Sequence, residues 1–241
     1  MADHVVIIGG SSGIGLATAR RLSRDGARVT IAGRSAARLV AAREASGDEA
    51  RVETLVLDAT RIDDLAPAFE RLGIIDHLVL ALGTSHGVGP FATSDVALMK
   101  LGFEEKVFAH YACAQAALGV MASHGSITFV AAVSAHAAFP GLAGTGAANS
   151  ALRGLVPILA AELRPLRVNA VSPGVIVTPW WDSYPEPERS QALEAYAART
   201  PAGRNGRPDD VADAIAFLVG NGFMDGAVLV CDGGLSLGVT G

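Results

Sequence analysis

The densest group of chemically useful residues is Gly9-Gly10-Ser11-Ser12-Gly13-Ile14-Gly15. Gly9, Gly13 and Gly15 have the spacing G-x-x-x-G-x-G, between an apolar run at 5–8 and a helix-periodic stretch at about 14–25. Glycines in such a turn let backbone N–H groups approach a pyrophosphate, and the N-terminus of the following helix adds its partial positive charge. Ser11 and Ser12 add hydroxyl donors. The same residues also fit G-x-S-x-G, where Ser11 would be a hydrolase nucleophile. Chain order argues against that chemistry, which needs an acid and then a histidine downstream of the serine. The last histidine is His136, and residues 137–241 contain none.

The next chemical question is what reads the adenosine end of a dinucleotide. The second apolar run closes on Ala32-Gly33 and is followed by Arg34-Ser35, about 20 residues after the glycine turn. NAD is read there by a carboxylate that accepts from the ribose hydroxyls, and none is present. Arg34 instead suits the 2′-phosphate of NADP, with Ser35 as a second donor. Asp58, just before Ala59, is placed either to hold the adenine amino group or to cap the next helix.

These residues need a scaffold, and the apolar pattern supplies one. Short runs rich in Val, Ile and Leu occur at 5–8, 28–32, 52–57, 76–82, 126–131, 166–171 and 227–231. Each is too short and too uniformly apolar for a surface helix, and predicts a strand buried on both faces. Between them lie stretches with helical spacing at about 14–25, 35–46, 61–72, 95–122, 146–163 and 208–219. Strict alternation predicts an α/β fold, a single-domain Rossmann-type, doubly wound parallel sheet of about seven strands with helices on both faces. No linker or repeat divides residues 1–241, and Pro157 interrupts the fifth helical stretch, where a kink is expected.

Composition excludes several function classes. Hydrophobic residues make up 50% of 241, enough for a large core, yet no apolar run reaches the 18 or so residues that span a bilayer. MADHVVIIGG lacks the basic start and cleavage site of a signal peptide. A net charge of −5 without blocks of like charge speaks against nucleic acid or an anionic membrane as partner. Cys113 and Cys231 are far apart in apolar segments, so buried free thiols in a reducing cytoplasm are expected, with no metal site.

With these motifs in place, the sequence resembles the short-chain dehydrogenase/reductases over nearly its whole length. The glycine turn has that family's form, as does Arg167-Val168-Asn169-Ala170-Val171-Ser172-Pro173-Gly174 followed by Val175-Ile176-Val177-Thr178-Pro179. The tail from Gly203-Arg204 through Pro208-Asp209-Asp210 to Cys231-Asp232-Gly233-Gly234 also matches. The resemblance implies that Pro173, Gly174, Ile176 and Thr178 lie along the nicotinamide and its phosphates. Gly83, the last residue of Leu80-Ala81-Leu82-Gly83, keeps the family's glycine after the fourth strand.

The family's catalytic Tyr, Lys, Ser and Asn are not where the resemblance puts them. Thr145 stands at the Tyr position, Asn149 at the Lys position, Ala132 at the Ser position and Lys106 at the Asn position. The resemblance therefore implies an atypical NADPH-dependent oxidoreductase that reduces a carbonyl or other polarised double bond with a rebuilt proton donor. The rival is a catalytically silent dinucleotide-binding sensor or partner protein. Lys106, one of only two lysines against 17 arginines, is the leading candidate, as proton donor or as anchor of an anion. Thr145 can orient a carbonyl, and His110 lies one helical turn after Lys106. His86, His136 and Ser134 belong to segments expected near the nicotinamide. Trp180 and Trp181 open a substrate lid over about 179–200, with a helix from Glu188 to Arg199, and suit a small planar or apolar substrate or a subunit interface. Family members assemble through the fourth and fifth long helices, which implies a homotetramer or homodimer whose close packing Ala112, Ala114, Ala116 and Ala117 permit.

Overall fold

The computed structural model describes residues 2–47 and 52–238. Seven strands form: β1 His4–Ile8, β2 Arg28–Gly33, β3 Val52–Val56, β4 Ile75–Leu80, β5 Met121–Val130, β6 Arg167–Pro173 and β7 Val228–Cys231. They pair in the order β3-β2-β1-β4-β5-β6-β7, every pair parallel. The chain runs from β1 outward to β2 and β3 on one side, then returns to β4 on the other. Loops leaving β1 and β4 therefore diverge, and a crevice opens between them at the carboxyl ends.

Alternation along each strand feeds two cores. Val6, Ile8, Leu78 and Leu80 point to one face, covered by α3 (Ile62–Leu72), α5 (Ala109–Ala117) and α6 (Ala143–Glu162). Val5, Ile7, Val29 and Ile31 point to the other, covered by α1 (Gly13–Arg24), α2 (Ala36–Glu44) and α8 (Pro208–Gly220). In α6 the buried Ala148, Leu152, Val156 and Ala160 recur every four residues, one stripe of a helix laid on the sheet. Burial on both faces holds for the inner strands. It fails for β3, where Glu53, Thr54 and Val56 are exposed, and for β7, because each edge strand has one neighbour and incomplete helix cover.

Four sequence expectations change. The helix expected over 95–122 is broken into α4 (Val96–Phe103), a π-helical turn at Glu104–Phe108 and α5, and the chain has re-entered the sheet by Met121. Pro157 does not end α6; it lies on the exposed side, where a missing amide is least costly. Cys113 is buried and its thiol is pushed up to about 12 by burial, whereas Cys231 is only partly covered. Ala112, Ala114 and Ala117 do not offer a subunit surface, because α5 turns them into the protomer's own core.

Candidate active site

A cleft of about 650 Å³ runs across the carboxyl ends of the strands, from the glycine turn to the loop after β6. At its floor Gly9 and Gly10 both donate to Ala32 O, at 2.9 and 3.1 Å, which folds the turn back onto β2. Two glycines here are obligatory for steric reasons. Gly9 has φ +85° and a Cβ would lie 2.5 Å from Ala81 O, while a Cβ on Gly15 would lie 2.2 Å from Gly9 O. The N-terminus of α1 opens onto the cleft with no acid in its first turn and no side-chain cap from Ser12. Free N–H groups with their positive end uncompensated, approached by bare backbone, fit a pyrophosphate. We expect Gly15→Ala to lower dinucleotide affinity more than tenfold and to reduce thermal stability, since backbone must move; fluorescence titration and a melt on one preparation check both.

The end of the cleft beside β2 is basic. Arg34 and Arg38 both line the cleft, and Arg38 Nη2 donates to Ser12 Oγ at 3.1 Å. Ser35 does not line it; its hydroxyl accepts Arg38 N–H at 3.3 Å and caps α2. Asp58 is engaged as a turn residue, with Oδ1 accepting the N–H and hydroxyl of Thr60 at 3.1 and 2.8 Å. Ala59 is buried in the core, and neither it nor Asp58 nor Ser11 lines the cleft.

At the other end the walls are Gly83 to His86, the 104–108 turn, the start of α6, and Pro173, Gly174, Ile176 and Thr178. Lys106 is 8% exposed, and no described side chain hydrogen-bonds or ion-pairs with its ammonium. Burial lowers its pKa to about 8. Asn149 is 3% exposed; its Nδ2 donates to Ser134 Oγ at 3.0 Å while its Oδ1 has no donor. An ammonium without an acceptor and an amide oxygen without a donor thus share one cleft, which a ligand or solvent must satisfy. Thr145 lines the same wall, its hydroxyl 3.4 Å from Leu142 O. Over the top lies the segment containing a 3₁₀ turn at Pro179–Ser183 and α7 (Glu188–Arg199). Trp181 and Tyr184 pack at 5.3 Å between ring centroids, and Trp181 and Tyr196 at 6.2 Å. Trp180 Nε1 donates to Thr84 O at 2.8 Å and Trp181 Nε1 to Ile176 O at 3.0 Å, so both indoles present apolar faces with their N–H groups already paired.

The sequence profile of the family described as Enoyl-(Acyl carrier protein) reductase matches residues 9–236. The chain belongs to the short-chain dehydrogenase/reductase family. It is 34% identical to the cis-4-hydroxycyclohexanecarboxylate dehydrogenase of Sinomonas cyclohexanicum, over 97% of this chain and 96% of that one. It is 35% identical to a 4-formylbenzenesulfonate dehydrogenase of Comamonas testosteroni, over 96% and 97%. A solved small-chain dehydrogenase in complex with NADPH superposes with a TM-score of 0.85 at 25% identity, covering 98% of this chain and 100% of that one.

In this short-chain dehydrogenase/reductase the structure gathers most, but not all, of the residues singled out from sequence. Lys106, Thr145, Asn149, Ser134, His86, Trp180 and Trp181 all line the cleft. His110 does not. It is fully buried, stacked at 6.0 Å on Phe129, with Nδ1 2.6 Å from Lys106 O and Nε2 2.9 Å from Leu80 O. Burial and the nearby Lys106 charge drive its pKa down to about 3, so it serves the core and not proton transfer to a substrate. His136 also lies outside, with Nδ1 3.4 Å from Arg153 Nη1. Lining residues that had not been singled out include Arg38, Thr84, Glu105 and Tyr196. Arg38 was within reach, because it lies in the first turn of the helix that follows Arg34. Glu105 was not, because a regular helix turns neighbouring side chains about 100° apart, and the π-turn changes that placement.

Proposed function

We propose that the protein is an NADP(H)-dependent oxidoreductase that reduces a carbonyl, or another polarised double bond, of a small aromatic or apolar molecule, with a proton donor other than the family's tyrosine. The observation that carries this reading is the largely buried Lys106 side chain, whose ammonium has no protein partner, on the wall of a cleft whose far end holds Arg34 and Arg38. A fold keeps an uncompensated buried charge at a cost, and such groups concentrate where charge develops during a reaction.

The α1 N-terminus and the glycine turn would hold the pyrophosphate, Arg34 and Arg38 the 2′-phosphate, and Pro173 to Thr178 the nicotinamide side. When bound, the reduced dinucleotide supplies the hydride. The chain's own work is to bind the substrate and stabilise negative charge on its oxygen. Lys106, with a pKa of about 8, is mostly charged at pH 7 and offers that stabilisation. The Thr145 hydroxyl orients the polar end of the substrate, and Asn149 with Ser134 supplies a fixed donor and acceptor beside it. Thr145, Asn149 and Ala132 stand where the family's Tyr, Lys and Ser belong, which is why the donor is assigned elsewhere. The aromatic lid supports a flat or apolar substrate, and the two dehydrogenases above are named for substrates built on six-membered rings.

The test is a fluorescence titration with NADPH and NADH under the same conditions, followed by turnover on a panel of cyclic and aromatic ketones and aldehydes. NADPH binding at least tenfold tighter than NADH, with turnover above a cofactor-only blank, is the expected result. NADPH binding with no turnover on any polarised double bond favours the silent sensor. Failure to bind either cofactor rejects both readings.

A further inference from the structure

We infer that His86, held by Glu105, donates the proton to the substrate oxygen in this cleft; the inference rests on the reductase reading above. The loop after β4 and the π-turn at 104–108 bring the two side chains together. Glu105 Oε2 accepts the Thr84 hydroxyl at 2.7 Å and lies 2.8 Å from His86 Nδ1. The His86 N–H closes the set by donating to Thr84 Oγ1 at 3.0 Å. Its main chain is seated tightly, since a Cβ on Gly102 would lie 2.8 Å from His86 O.

The bonding pattern fixes which imidazole nitrogen does chemistry. Partial burial pulls the Glu105 carboxyl upward, but hydrogen bonds from Thr84 and His86 outweigh it and hold its pKa below the usual range. An ionised carboxylate only accepts, so Nδ1 carries the hydrogen in the pair. Nε2 makes no hydrogen bond to any described residue and is left as the atom that takes up and releases a proton. His86 is the one histidine lining the cleft. The lid's Trp180 is tied to Thr84 O, so the aromatic roof meets the cleft beside this pair.

The step balances with the cofactor class already proposed. A carbonyl carbon that has taken up hydride leaves an oxyanion, whose charge Lys106 stabilises. The His86 imidazolium gives its Nε2 proton to that oxygen, the alcohol forms, and a neutral imidazole with Nδ1–H remains on Glu105. About a third of the His86 side chain is exposed, which lets solvent return the proton. The other ionisable or phenolic groups on the cleft walls are Glu105, Lys106, Arg34, Arg38, Tyr184 and Tyr196. Glu105 is a positioning residue, acting through the imidazole it orients.

Two measurements test this, one of which needs neither cofactor nor substrate. In ¹⁵N-labelled protein the neutral His86 imidazole is expected as the Nδ1–H tautomer, reverting to the Nε2–H form in Glu105→Ala. With substrate, His86→Gln is expected to lower kcat by roughly 10²–10³-fold, with KM and NADPH affinity held within about threefold. An Nε2–H tautomer in the wild type overturns the pairing. Wild-type kcat in His86→Gln overturns the acid role alone and leaves the reductase reading standing. A wild type that binds no NADPH or reduces nothing removes that reading, and the role of His86 with it.

Discussion

Lys106→Met is expected to raise the melting temperature of the ligand-free protein while lowering its turnover by roughly 10²–10³-fold, the range for loss of one group stabilising an oxyanion. The opposite signs share one cause. Burial lowers the lysine pKa from 10.5 to about 8, so between those values the unfolded chain binds more protons than the folded one. Stability therefore rises with pH across that window, and below it the full cost of the buried charge is present. A shift of that size corresponds to about 3 kcal/mol at most. Methionine keeps the apolar stem and removes the charge, which on a chain of this length raises the melting point by roughly 5–10 °C. The gap between variant and wild type should narrow as pH is raised from about 8 towards 10.5 and close only above it, where the lysine is neutral in both states. Differential scanning calorimetry at pH 7 and pH 10, alongside single-turnover kinetics, measures both effects. A variant that is less stable than wild type at pH 7 would mean that the ammonium makes a structural contact, and the catalytic assignment would fail. A stabilised variant with wild-type turnover would separate the charge from the chemistry. Retained charge at a cost to stability is the pattern expected of functional groups.

The fold was legible because its cause is local. Val5 to Ile8 and Leu78 to Leu80 are continuous apolar runs, and only a strand covered on both faces uses every residue of such a run. The glycine turn was legible for a different reason. The backbone approaches of Gly9 and Gly15 to Ala81 O and Gly9 O tolerate no side chain, so the residue type is dictated by geometry. What the sequence hid depends on side-chain placement across elements. His110 is one helical turn from Lys106, so spacing put both on one face, yet Lys106, inside the π-turn, lines the cleft while His110, beyond it, is buried in the core. That same turn brings Glu105 to His86, a contact between residues 19 positions apart that no local pattern encodes. Ser35 and Asp58 illustrate a further limit, because a polar side chain at a strand end serves a helix cap as readily as a ligand, and here both hold backbone. The interior alanines of α5 mislead in the same way, since small residues favour close packing without saying against what.

Replacing Arg34 and Arg38 together by alanine is expected to weaken NADPH binding by roughly 10²–10³-fold, at about 1.5–3 kcal/mol for each charged hydrogen bond lost. NADH affinity should stay within about threefold, because the two cofactors differ only in the ribose phosphate and the proposed pyrophosphate site lies elsewhere, at the α1 N-terminus. The geometry that supports this is specific. β2 ends at Gly33 without a carboxylate, Arg34 follows at once, and Arg38 in the first turn of α2 lines the same cleft. Arg38 is steadied by its bond to Ser12 Oγ, so part of its ordering cost is already met by the fold before any phosphate arrives. The single variants should each lose less than half of the double variant's effect, because the remaining guanidinium can take over the phosphate. Both arginines are solvent-accessible, so the preference for NADPH should shrink as salt rises. Isothermal titration at low and moderate salt gives the affinities, and the loss of NADPH-induced thermal stabilisation gives an independent reading of the same term. An equal fall for NADPH and NADH would show that the arginines hold the adenosine or the loop and not the phosphate. Unchanged NADPH binding would place the phosphate outside this corner of the cleft and remove the ground for NADP selectivity.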